Sequence, residues 1–200
     1  MAEKKEYRSA IRSRKMIHQA FIELLREKSF ERITVTDIVK QADINRSTFY
    51  AHYPDVRGLV EAIIQKTLDD SLELVQNTTF HDIFTDPGPF LEKMISIGME
   101  YEEIYRLIGN TDFALRQVEN IKAILLEKAT STIDIPEHIR HSKAFRIRVG
   151  FFVGGILNIF QLSMTGNLDC STDEIKEQLA NLILSNADLY RNWESNDRSV

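Results

Sequence analysis

Glycine and proline are scarce in this chain, eight and four among 200 residues. So few helix breakers exclude a collagen-like or low-complexity chain and, with abundant Leu, Ile, Glu and Lys, point to a mostly helical protein with short connections. Cysteine is nearly absent. The single Cys170 can form no internal disulfide and builds no metal cluster alone, which fits a reducing compartment. Long apolar runs are missing as well: the richest, Val149 to Met164, has 16 residues and contains Asn158 and Gln161, against the roughly 20 that a membrane span needs. The opening Met-Ala-Glu-Lys-Lys-Glu-Tyr has no apolar signal core. No membrane partner is expected, and the cytoplasm is the expected location.

What is present is a globular composition, 43% hydrophobic and 28% charged, enough for one large domain or two small ones. The net charge of −5 is unevenly divided. Residues 1–60 hold 12 Lys/Arg against 8 Asp/Glu, a balance of +4, and residues 61–200 hold 13 against 22, a balance of −9. The basic excess gathers in Lys4, Lys5, Arg8, Arg12, Arg14 and Lys15. A front that tolerates a polyanion and an acidic remainder that does not suggest two jobs in one chain.

Apolar periodicity supplies the elements. Ile17, Ala20, Phe21, Leu24 and Leu25 recur at three- and four-residue steps, predicting an amphipathic helix over Ser9 to Lys28. Thr34 with Asp37 three positions on is a capping-box pattern that starts a short helix reaching about Ala42. Asp43-Ile44-Asn45 breaks it, and Asn45 caps a second short helix from Arg46 to about His52. Pro54 ends that one; Asp55 caps a long helix from about Val56 to Gln76. Thr78 to Pro89, with Asp86-Pro87-Gly88-Pro89, is expected as loop. Further helices are expected over Phe90–Ile108, Asp112–Ser131, His138–Met164 and, capped by Ser171, Ser171–Trp193. The fold class is all-α, with about nine helices.

Two short helices joined by a three-residue turn make a helix-turn-helix, braced by the helix before it. Ile38, Val39, Ala42, Ile44 and Phe49 occupy positions where the helices meet, leaving Arg46, Ser47, Tyr50, Ala51 and His52 to face outward. A guanidinium, hydroxyls and an imidazole are the groups that hold phosphates and read groove edges. A structural helical corner would show the same spacing.

The run Ile33-Thr34-Val35-Thr36-Asp37-Ile38-Val39, with Ala42, Ile44, Asn45-Arg46-Ser47-Thr48-Phe49-Tyr50 and His52-Tyr53, resembles the DNA-binding domain of the TetR/AcrR family of bacterial transcriptional regulators, ungapped over about residues 10–60. The resemblance implies a helix-turn-helix domain at 1–55 and a helical regulatory and dimerisation domain at 56–200. It implies phosphate contacts from Thr34 and Thr36 and groove contacts from Arg46, Ser47, Thr48, Tyr50 and His52. Phe49 and Tyr53 match positions that mostly pack, with the Tyr53 hydroxyl in reach of the DNA backbone, and Arg57 is the residue to take over the backbone contact of the lysine that Val56 replaces. Asp43 stands where Gly is common, and Pro54 and Val56 stand where Lys is frequent. Phe151-Phe152-Val153-Gly154-Gly155-Ile156-Leu157, with Gly166 and Ser171-Thr172-Asp173-Glu174, resembles the last two helices of a Firmicutes-type subgroup. Those helices imply an intersubunit bundle, with Phe152, Gly154, Ile156, Phe160, Leu179, Leu182 and Ile183 at a homodimer interface. Phe90, Met94, Tyr101, Tyr105 and Phe113 are the candidates for an inducer cavity.

The remaining constellations are bland. His138 and His141 are three apart with too few converging ligands for a metal. No Ser/His/Asp or Cys/His set has motif context and no Gly-rich phosphate loop appears, so neither enzyme, metal nor cofactor is expected. The expected function is a dimeric, ligand-responsive regulator, a repressor on a palindromic double-stranded DNA operator with an unidentified small-molecule inducer. The alternative is a protein-binding coactivator or adaptor of the same fold, which the departures at Pro54 and Val56 keep open.

Overall fold

The computed structural model describes residues 2–109, 111–131, 135 and 137–186, with residues 2–8 and 114 by their backbone alone. Among the described residues there are eleven α-helices and one 3-10 turn and no strand. The helices are α1 (Ala2–Glu27), α2 (Val35–Gln41), α3 (Arg46–Tyr50), α4 (Val56–Gln76), α5 (Phe80–Thr85), α6 (Gly88–Met99), α7 (Glu102–Ile108), α8 (Asp112–Thr130), α9 (Glu137–Arg140), α10 (Lys143–Met164) and α11 (Thr172–Leu184); the 3-10 turn is Phe30–Arg32.

The eight helices delimited by the sequence become eleven because two long ones are interrupted and one expected loop is helical. Tyr101 leaves helical geometry (φ −127°, ψ 22°) and divides the expected Phe90–Ile108 helix into α6 and α7. Ser142 caps α10 by accepting from the Phe145 amide, which separates α10 from the short α9. α5 lies in the stretch expected as loop: Thr79 and Asp82 form a capping box there. The expected extension of the last helix to Trp193 lies outside the described residues.

Three apolar clusters hold these helices. The first joins α1, α2, α3 and the start of α4 around Ile17, Phe21, Ile38, Phe49, Leu59 and Ile63, and takes in Ile104 and Ile108 of α7. The N-terminal unit is therefore packed on α7, through α1, as well as on α4. The second joins Ala129 of α8 and Ile139 of α9 to Phe145 and Val149 of α10, and the third sets Leu91 of α6 against Ile175, Leu179 and Ile183 of α11.

α10 is longer than the apolar run that announced it. At 22 residues, with mean hydropathy 1.5 over its most apolar window, it is long and apolar enough to cross a membrane by length and composition, and 11% of that window is buried within the chain. Ile147 and Phe151, one turn apart, are 71% and 73% exposed. Leu179 and Ile183, expected at an intersubunit face, are instead buried in the protomer, because their i, i+4 stripe with Ile175 is the side of α11 that meets Leu91. Leu182 beside them faces out, 57% exposed.

Candidate nucleic-acid interface

The interface begins with two capped helices. At the start of α2 the Asp37 amide donates to Thr34 Oγ1 at 3.2 Å, while the Thr34 amide and hydroxyl donate to Asp37 Oδ2 at 2.8 and 2.7 Å. Lys28 Nζ approaches the same carboxylate at 2.8 Å. The Lys28 ammonium first, then the Thr34 hydroxyl and amide, hold the Asp37 carboxyl down to about 2. Thr34 thus has both its donors on Asp37.

α2 ends in a Schellman turn. The Ile44 amide donates to Val39 O at 3.1 Å and the Asp43 amide to Lys40 O at 3.4 Å, with Asp43 at φ +50°. Asp tolerates this left-handed geometry where most residues would be strained. Asn45 then caps α3: its Oδ1 accepts from the Thr48 amide at 2.7 Å and from the Ser47 and Thr48 hydroxyls at 2.6 and 2.8 Å. One carboxamide oxygen fixes the first turn of the recognition helix.

Phe49 anchors α3, fully buried among α1, α2 and α4. The opposite face stays open: Arg46 and Ser47 are exposed, and Tyr50 is 52% exposed with its ring edge-on to Phe49. Arg46 Nη2 donates to Thr36 Oγ1 at 2.7 Å, which carries the guanidinium across from α3 to α2. Arg57, exposed in the first turn of α4, and the exposed Arg12, Arg14 and Lys15 of α1 add cationic groups in the same N-terminal part. The side chains of Lys4, Lys5 and Arg8 lie outside the described residues.

His52 and Tyr53 are tied back to α1. His52 shares a hydrogen bond with Ser13 Oγ at 2.7 Å, and Tyr53 Oη one with His18 Nε2 at 2.9 Å. Tyr53 is only 5% exposed, so the expected reach of its hydroxyl to the DNA backbone gives way to an internal brace. Burial first, then Arg14 and His52, lower His18 to about 4. Burial and Arg14 lower His52 in the same direction. Both imidazoles are neutral at pH 7, so His52 presents a hydrogen-bonding edge rather than a charge. Ser13, His18 and Lys28 are the contributors that sequence reasoning missed. The first two act over 39 and 35 residues of chain, a separation at which no local pattern signals them.

The inducer candidates separate. Tyr105 lines a cavity of about 120 Å³ between α4, α7, α8 and α10, where its hydroxyl donates to Thr67 Oγ1 at 2.8 Å. Phe90 lines a different cavity of about 100 Å³ between α5, α6, α10 and α11. Tyr101 packs edge-on to His18, Phe113 stacks on Phe30, and Met94 is half-buried on α6; none of the three lines either cavity.

Residues 17–63 match the family model described as bacterial regulatory proteins, tetR family. The likeness to that family lies in these residues, about a quarter of the chain. The matched segment runs from α1 to the middle of α4 and contains the whole capped unit described above. The chain is 33% identical over 72 residues to the uncharacterized HTH-type transcriptional regulator YxbF of Bacillus subtilis (strain 168), covering 36% of this chain and 19% of that protein. To the uncharacterized HTH-type transcriptional regulator YvdT of the same organism it is 32% identical over 66 residues, covering 33% and 34%. The matches thus span between a fifth and a third of those relatives. A solved structure, the dihydroxyacetone kinase operon activator DhaS, has the same fold across most of the chain: TM-score 0.57, 22% identity, covering 88% of this chain and 97% of that one.

Proposed function

We propose that this protein is a dimeric, ligand-responsive transcriptional repressor, not an enzyme, that acts in the cytoplasm on a palindromic operator. Residues 1–55 contact DNA and residues 56–200 receive the inducer and the second subunit. The observation that carries the reading is α3 itself, a short helix capped by Asn45 and anchored by Phe49, whose open face presents Arg46, Ser47 and Tyr50. So short a helix reads only a few base pairs, and useful specificity then needs two copies on a two-fold site. The exposed apolar face of α10, with Ile147 and Phe151, is the surface that a second copy covers. Lys143, Arg146 and Arg148 in its first two turns, and the packing of its other face on two core clusters, favour a protein partner over lipid. The inducer site is the cavity beside Tyr105, whose hydroxyl group and apolar walls suit a ligand with one polar end.

Fluorescence anisotropy with the intergenic DNA upstream of the protein's own gene, against random DNA of equal length, tests the reading. Tight, salt-dependent binding to the first and at least tenfold weaker binding to the second is expected. Equal, weak binding to both would favour the adaptor reading. A reporter fused to the bound promoter reads the sign of regulation, which matters because DhaS is named an activator.

A further inference from the structure

We propose that the cavity under the first half of α10 is a second ligand site, separate from the one beside Tyr105, and that it takes a compact, uncharged aromatic hydrocarbon. The two cavities share no lining residue. This one has a volume of about 100 Å³, is partly open to solvent, and presents almost no polar atom. Water entering such a space would find none of the two to four hydrogen-bonding partners it needs. Left empty, the walls lose dispersion contacts that a ligand would restore. The volume is somewhat below that of the roughly 150 Å³ apolar cavity that takes up benzene, so one ring fills it and a small substituent points to the opening.

The wall favours a ring over an alkyl chain. Phe80 and Phe84 stack with centroids 6.3 Å apart and planes 21° apart, and Phe152 meets Phe84 edge-on at 6.1 Å and 85°. With Phe90 they form an aromatic corner, closed by Val153 and Ile156 of α10. A guest ring there has both a face and an edge to meet. Arg148 is the one charged residue among the described residues that line the cavity, and the exposed wall is almost wholly apolar, so it offers a bound anion little polar contact. A carboxylate entering the cavity would therefore shed its hydration without compensation.

Calorimetric titration of the full-length wild-type chain with toluene, and separately with benzoate, tests the assignment. Saturable toluene binding at one site per chain is expected, with benzoate at least about tenfold weaker. In the same sample the methyl resonances of Val149, Val153 and Ile156 should shift with toluene while those of Val118 and Ile121 hold still. Ala129→Leu and Val153→Phe, which fill the cavity, should weaken toluene binding by about tenfold or more, and Leu125→Phe in the other cavity should leave it unchanged. No saturable binding up to the solubility limit of toluene overturns the proposal, as does shift of the Val118 and Ile121 methyls instead. Benzoate binding as tightly as toluene overturns the neutral class, and a folded, filled variant that binds like wild type overturns the location. None of these measurements involves DNA, so their failure is distinguishable from failure of the DNA-binding reading.

Discussion

Arg46 is the side chain on which the proposed recognition of DNA turns. Its link to Thr36 Oγ1 holds an exposed, long side chain in one place before DNA arrives, and so reduces the rotamer entropy lost on binding. Arg46→Ala is expected to cost about 1 to 3 kcal/mol per half-site on operator DNA if the contact is bidentate to a base, with a much smaller effect on random DNA. Titrations of both DNAs at several salt concentrations check this, and operator binding equal to the parent's would move the recognition helix elsewhere. Thr34, in contrast, has its hydroxyl and amide committed to Asp37. Its replacement acts through the stability of α2. His18 gives the residue scale its pH dependence. Its folded value of about 4 lies below the ordinary 6.5, so above pH 6.5 both folded and unfolded forms are neutral and its contribution is complete. As pH falls from about 6.5 to about 4 the unfolded chain binds the proton first, and stability declines by about 3 kcal/mol. The sign follows from proton uptake: the unfolded state holds more, so stability rises with pH. Urea melts of wild type and His18→Gln across that window should converge as the acid limit nears; parallel curves would remove His18 as the cause.

At the scale of the element, local chemistry was readable and distant chemistry was not. The caps at Thr34, Asn45, Asp55 and Ser171 are all present as the spacing predicts, because a cap is formed within four residues of chain. So is the left-handed Asp43. The same rule operates at Thr79 and Asp82, masked by the neighbouring Asp-Pro-Gly-Pro that reads as a breaker, and at Ser142, inside a stretch that reads as one helix. The α6–α7 break has no such mark, since Tyr101 leaves the helix where its ring packs on His18, 83 residues away in the chain. A further consequence concerns α3. Asn45→Ala removes the one oxygen that accepts from the Thr48 amide and two hydroxyls, and should cost about 1 to 2 kcal/mol of stability. Asn45→Asp should retain most of it. Thermal melts of the two variants check the prediction, and equal destabilisation by both would show that the carboxamide acts through its nitrogen instead.

The whole molecule poses the question of what covers α10. Apolar richness in the last two helices was legible, but the division of their residues between the protomer's own core and an outer face was not. One helix carries both faces, and periodicity cannot say which neighbour each one meets. Hence Leu179 and Ile183 belong to the core, whereas Ile147 and Phe151 remain outside. Phe151→Glu is expected to convert a dimer into a stable monomer of about 23.1 kDa, read by sedimentation in dilute solution. A wild-type chain that is already monomeric would sink the dimer proposal. Gly154 sharpens the test. A Cβ added there meets nothing within 4 Å inside the protomer, so the glycine makes no close internal contact. Gly154→Leu should therefore leave the isolated protomer as stable as before, or more stable by up to about 1 kcal/mol through helix propensity. Across a two-fold axis the same side chain would hold the helix backbones apart and weaken association by roughly 1 to 3 kcal/mol. Measuring the dissociation constant and the unfolding midpoint of this variant at low protein concentration separates the two effects. Weaker association with undiminished protomer stability places Gly154 at the subunit contact, and unchanged association removes it from there.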